Sequence, residues 1–120
     1  KALKKGGYFI FDVNTPNFYC NKVETNNWYF NEGSGFWKNT THLIFEANYI
    51  YEPNIYLDQY VILDKEFNTN VFRTWDKVYT KETILDDIKS YDYSLIEYFD
   101  DVSGSDYSAE SKTMCIVLKK

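Results

Sequence analysis

The run Tyr8-Phe9-Ile10-Phe11-Asp12-Val13 constrains this chain more than any other stretch. It is apolar except for Asp12, shows no period-two alternation and is too short for a helix, so it reads as a strand covered on both faces, as in parallel α/β sheets. Gly6-Gly7 precedes it, after Leu3-Lys4-Lys5, the composition of a helix C-terminus closed by a glycine with positive φ. A strand buried this early needs neighbours on both edges, and the residues that follow supply only some of them. The run therefore implies that part of the sheet lies outside this chain. In open parallel sheets the ligand crevice lies beyond the carboxyl ends of the strands, which is where Asp12, Asn14 and Thr15 fall. The same residues also read as a cap on the next helix, and the two readings are compatible.

The 120 residues are one domain's worth of chain. Twelve tyrosines, nine phenylalanines and three tryptophans suit β-structure and a substrate or partner surface. A net charge of −5 with no basic stripe argues against nucleic acid as a partner. Lysines gather at the termini (Lys1, Lys4, Lys5, Lys119, Lys120), where they read as solubilising. No apolar run is long enough to span a bilayer, and no signal peptide precedes the Asn39-Thr40-Thr41 sequon, so a cytoplasmic location with no membrane partner is expected. Cys20 and Cys115 belong to no C-x-x-C and are expected reduced and packed; with a single histidine, no metal site is expected.

Along the chain, Thr15 to Thr25 carries Pro16 at a first-turn position and reads as a short helix. Asn26 to Thr41, rich in Asn and Gly, reads as loops and short strands. His42 to Tyr51 alternates, with Leu43, Phe45, Ala47, Tyr49 and Tyr51 on one side and His42, Glu46 and Asn48 on the other. Glu52-Pro53-Asn54 is a turn. Ile55 to Leu63 alternates next, and Val71 to Tyr79 makes a third strand of an antiparallel meander with one face packed and one open. Thr80 is an N-cap with Glu82 in the first turn, and Ile84, Leu85 and Ile88 form an apolar helical face. Tyr93 to Phe99 is a strand, Asp100 to Ser111 a polar loop, and Thr113 to Leu118 a continuous apolar strand.

Taken in order, these segments resemble class I S-adenosylmethionine-dependent methyltransferases. Leu3-Lys4-Lys5-Gly6-Gly7 through Thr15 is similar to the lead into that family's fifth strand. Gly35-Phe36-Trp37, His42-Leu43 and Tyr56-Leu57-Asp58-Gln59-Tyr60-Val61-Ile62 resemble a β-insertion found in one bacterial branch. Phe72-Arg73-x-Trp75 and Tyr79-Thr80-x-Glu82-Thr83-Ile84 resemble the return to the next helix. Tyr98 to Val102 resembles the end of the sixth strand, and Lys112 to Lys120 the seventh strand. The family's glycine-rich cofactor loop and ribose-binding acid have no counterpart here, and the glycines at 6, 7, 33, 35 and 104 form no G-x-G-x-x-G. The resemblance implies the C-terminal portion of such an enzyme, with S-adenosylmethionine bound by a missing N-terminal half and no cofactor bound by this chain alone. Residues 1–25 and 76–120 would belong to the Rossmann-like domain, and residues 26–75 to an inserted, acceptor-side subdomain.

The resemblance also frames the site. Methyl transfer from a sulfonium asks the protein mainly to align acceptor, methyl and leaving sulfur and to exclude water. On that logic Asn14, Trp37, His42, Tyr60, Arg73 and Trp75 are the acceptor-side candidates for a small molecule; no catalytic residue is singled out. Each has a structural alternative: His42 as a satisfied core residue, Trp37 and Trp75 as packing, and Arg73 as the cross-strand partner of Asp58 or Glu46 rather than the holder of an acidic acceptor. Asp86-Asp87 and Asp100-Asp101 read as solvated. The competing reading of the whole chain is a non-enzymatic ligand- or protein-binding module built on the aromatic meander.

The expected fold is α+β by content: a mixed three-stranded sheet with Thr113–Leu118 central and antiparallel to both neighbours, the helix from Thr80 packed on it, and the β insert at the carboxyl end of the first strand. The open edge of residues 8–13 is a place for dimerisation or aggregation.

Overall fold

The computed structural model describes residues 3–120; Lys1, one of the terminal lysines, lies outside them. In chain order the elements are β1 (Tyr8–Asn14), a 3-10 helix (Pro16–Tyr19), β2 (Thr25–Asn31), β3 (His42–Tyr51), β4 (Ile55–Asp64), β5 (Thr69–Lys77), α1 (Lys81–Ile88), β6 (Ser94–Phe99) and β7 (Thr113–Lys119). They divide into two compact units, Lys1–Asn21 with Val78–Lys120, and Lys22–Lys77.

The first unit holds a three-stranded sheet in the order β1-β7-β6. β7 is central and antiparallel to both neighbours, pairing Tyr8 with Lys119 on one side and Phe99 with Cys115 on the other. Its unbroken apolar run is explained by burial: Met114, Cys115, Ile116 and Leu118 are all within 2% of complete burial. Ile84 of α1 packs on Met114, Ile116 and Leu118, with Phe11, Val13, Ile88 and Leu95 around them. Each such fully buried aliphatic contributes about 1.5–3 kcal/mol. The helix starts where Thr80 and Thr83 cap each other: the Thr83 amide donates to Thr80 Oγ1 (3.3 Å), and the Thr80 amide to Thr83 Oγ1 (2.9 Å). A register shift between Leu95 and Glu97 bends β6.

Several expectations are corrected here. β1 is not covered on both faces: Tyr8, Phe9 and Ile10 are 47–57% exposed, because β7 is its only strand partner among the described residues. Gly6 has the expected positive φ of 80°, and the Gly7 amide donates to the Lys4 carbonyl (3.0 Å) in a turn; the helix expected to end there lies outside the described residues. The helix expected over 15–25 is confined to Pro16–Tyr19. Hydrogen bonds from Thr15 Oγ1 to the Ser111 carbonyl (2.6 Å) and from Asn17 Nδ2 to the Ala109 carbonyl (2.6 Å) tie the segment to the 100–111 loop. Both cysteines are free, but only Cys115 is buried and Cys20 is exposed.

The second unit is a four-stranded antiparallel sheet in the order β2-β3-β4-β5. β2, in the segment expected to hold loops and short strands, adds a strand to the three-stranded meander by pairing Trp28 with Phe45 and Tyr29 with Ile44. Strands β3 to β5 fall where the alternation places them, and Glu52-Pro53-Asn54 is a turn. Registers through β2 to β5 sort the side chains into two faces. One face carries the rows Asn27-Glu46-Tyr60-Phe72 and Thr25-Asn48-Asp58-Thr74; the other carries Trp28, Phe45, Val61 and Val71. His42, Ile44 and Ile62, buried to within 1%, lie on the first face. The side bearing Leu43, Phe45, Ala47, Tyr49 and Tyr51 is the more open one, although it is the more regularly apolar.

No helix of the described residues is long and apolar enough to cross a membrane.

Candidate functional site

The first face of the β2–β5 sheet gains its cover from the segment between β2 and β3. The Gly35 amide donates to the Lys38 carbonyl (2.7 Å), turning the chain so that Trp37 comes down on the sheet. Its indole centroid lies 4.7 Å from the Tyr60 ring and 4.9 Å from the Phe72 ring, with Phe36 edge-on to it at 4.9 Å. Gly35 permits this turn by lacking a side chain: a Cβ there would lie 1.7 Å from Asn31 Nδ2 and 3.4 Å from His42 Cε1. Lys38 then anchors the segment on Asp64 (2.6 Å).

Beside the aromatic stack runs a polar row. Thr25 Oγ1 donates to Asn48 Oδ1 (2.5 Å), Asn48 Nδ2 donates to Asp58 Oδ1 (2.7 Å), and Lys22 Nζ reaches the same oxygen (2.5 Å). The Tyr60 hydroxyl donates to Glu46, its cross-strand neighbour. Burial, followed by the negative charges of Glu46 and Asp58, pushes that hydroxyl up to about 12, so Tyr60 stays protonated and acts as a hydrogen-bond donor. Lys38 and the Asn68 amides hold the Asp64 carboxyl down at about 2. No group of His, Cys, Asp and Glu suited to a metal ion is present among the described residues.

Of the candidates read from sequence, Trp37 and Tyr60 come together as one surface. His42 shares their face but is buried, with Nδ1 2.6 Å from the Thr40 carbonyl and Nε2 buried without a partner. Arg73 and Trp75 point from the opposite face. Arg73 Nε donates to Gln59 Oε1 (2.7 Å), not to Asp58 or Glu46, because those carboxylates project from the other side of the sheet. Trp75 is 57% exposed and lies 5.4 Å from Tyr51. Asn14 ends β1 in the other unit, where its carbonyl accepts from the Tyr79 amide (2.9 Å). Asp86 pairs with the exposed Lys89, and Asp101 is held at about 2 by Ser103 and Ser105. Sequence reasoning passed over Lys22, Thr25 and Lys38, whose roles depend on contacts across 23 to 36 residues.

No protein-family profile matches the chain, and no curated protein matches it. Solved structures do. The CcbJ methyltransferase from Streptomyces caelestis superposes on 98% of this chain with a TM-score of 0.59 at 15% identity. An S-adenosylmethionine-dependent methyltransferase from Clostridium acetobutylicum superposes on 97% with a TM-score of 0.62 at 19% identity. The chain has a methyltransferase fold. It spans 45% of the length of each of these two proteins. These superpositions take in both units of the chain, the β2–β5 sheet included.

Proposed function

We propose that this chain is the acceptor-side, C-terminal portion of an S-adenosylmethionine-dependent methyltransferase that modifies a small molecule. The observation that carries the reading is the central β7, antiparallel to β1 and β6, in a chain whose whole length superposes on methyltransferases more than twice as long. The open edge of β1 is where a cofactor-binding half would add its neighbouring strand. The acceptor would lie against Trp37 and Tyr60, whose tilted rings meet beside a protonated hydroxyl. His42 is assigned to holding the 32–41 segment from below. Asn14 lies at a strand end, where this fold class builds its sites.

Calorimetric titration with S-adenosylmethionine tests where the cofactor site lies. The 120-residue chain is expected to give no binding heat, and tight binding overturns the assignment of that site to another segment. Reading the gene upstream of the Lys1 codon tests the rest. A glycine-rich strand–loop–helix supports the enzyme, whereas an unrelated domain supports the alternative, a non-enzymatic binding module drawing on the exposed aromatics of the β2–β5 sheet.

A further inference from the structure

The strands β2 to β5 separate charge from apolar surface with unusual completeness. Every carboxylate they contain (Glu46, Asp58, Asp64, Asp76) projects from the face that Trp37 covers. The opposite face bears no Asp or Glu in any of its four strands; its only charges are Arg73 and Lys77, both on β5. That face is also the exposed one. Trp28, Phe30, Phe45, Tyr51 and Trp75 are between 43 and 69% exposed, and Ile55 and Val71 stand open beside them.

We propose that this carboxylate-free face is an interface with a second copy of this chain, the two sheets packing face to face about a two-fold axis. Area supports it: with each large aromatic offering on the order of 100 Å² and the two aliphatics adding to that, the patch reaches about 600 Å² per copy. That matches the largest patch a typical monomer exposes and approaches the roughly 800 Å² per partner of a standard stable interface. Charge selects the occupant. Each copy carries a net charge of −5, and two such chains approach most easily through the one broad surface that holds no negative group. Geometry selects the axis. An axis along the strands lays β5 of one copy over β2 of the other at the same level, which sets Val71 over Trp28 and Arg73 over Asn26 and keeps the cations of the two copies apart. An axis across the strands would set β5 on β5 and oppose like charges. Two twisted antiparallel sheets pack this way at about −30° and about 10 Å apart.

Sedimentation equilibrium of the 120-residue chain, from micromolar to 100 micromolar, tests the proposal. The chain is expected at twice its monomer mass, and Phe45→Glu and Val71→Lys, each with unchanged far-ultraviolet circular dichroism, are expected to weaken association at least 100-fold. Val71 lies on edge strand β5, so Val71→Lys carries the test if Phe45→Glu fails to fold. Ile10→Lys, at the open edge of β1, should leave the dimer intact. A chain that is monomeric throughout overturns the proposal. So does a dimer that survives Val71→Lys, or one that Ile10→Lys dissociates.

Discussion

The indole of Trp37 lies over the ring of Tyr60 at a centroid distance of 4.7 Å and a tilt of 37°. This contact joins a loop residue to the middle of a strand, at the tyrosine whose hydroxyl hydrogen-bonds Glu46. The aromatic stack shapes the candidate acceptor surface, while burial and the charges of Glu46 and Asp58 keep its hydroxyl protonated.

Removing the indole should separate those roles. Trp37→Ala is expected to cost about 2–3 kcal/mol, at or below the low end for buried aromatic truncation because the ring is only partly buried. It should also let water reach Tyr60, so that the tyrosinate transition near 295 nm falls from about 12 toward the ordinary value of 10. Urea unfolding and a spectrophotometric alkaline titration read the two effects; an unmoved titration would mean that the stack does not shield Tyr60.

Asp64 governs the acid side. Its carboxyl is held at about 2, below its ordinary 3.8, first by Lys38 and then by Asn68. Between those values the unfolded chain binds a proton that the folded chain does not, so the stabilisation is complete above about pH 4 and disappears as the pH falls through 2. Thermal melts at pH 2 to 5 should therefore show a shallower acid slope for Asp64→Asn than for the parent chain.

The cap of α1 offers a test in the other unit. Thr80 Oγ1 accepts from the Thr83 amide while the Thr80 amide donates to Thr83 Oγ1. Thr80→Ala removes the first bond and should cost about 1 kcal/mol. Thr80→Ser should retain most of that stability, and chemical denaturation distinguishes the two.

At β1, an exposed apolar edge predicts slow aggregation of the isolated chain. Ile10 is 57% exposed on this strand, and Ile10→Lys places a charge where natural edge strands carry one. Light scattering during incubation at 37 °C should rise more slowly for the variant, with the melting temperature little changed.

Local signals in the sequence were sufficient where a segment's environment is uniform. β7 reads as a buried strand because both of its edges and its packed face are occupied by this chain, and α1 reads correctly because its cap and its apolar face lie within a few residues of each other. β1 has a similar composition but a different fate, since covering depends on residues that no local pattern contains. β2 was hidden by its asparagines, and only pairing with β3 shows that Trp28 and Phe30 alternate along a strand. At the site, period two correctly put Glu46, Asn48, Asp58 and Tyr60 together. It could not say which face would be covered, because that is decided by Gly35 and Trp37, in a loop that closes over strands far along the chain.

The pairing of Tyr8 with Lys119 also sets the order in which the chain can acquire structure. All four strands of Lys22–Lys77 are joined by local connections and can close among themselves as soon as they leave the ribosome. β1 emerges earlier, yet its β7 edge waits for a strand made about a hundred residues later. Along this chain β1 is therefore made before the β2–β5 sheet yet joined to β7 after it, and its β7 edge is where a chaperone would have most use.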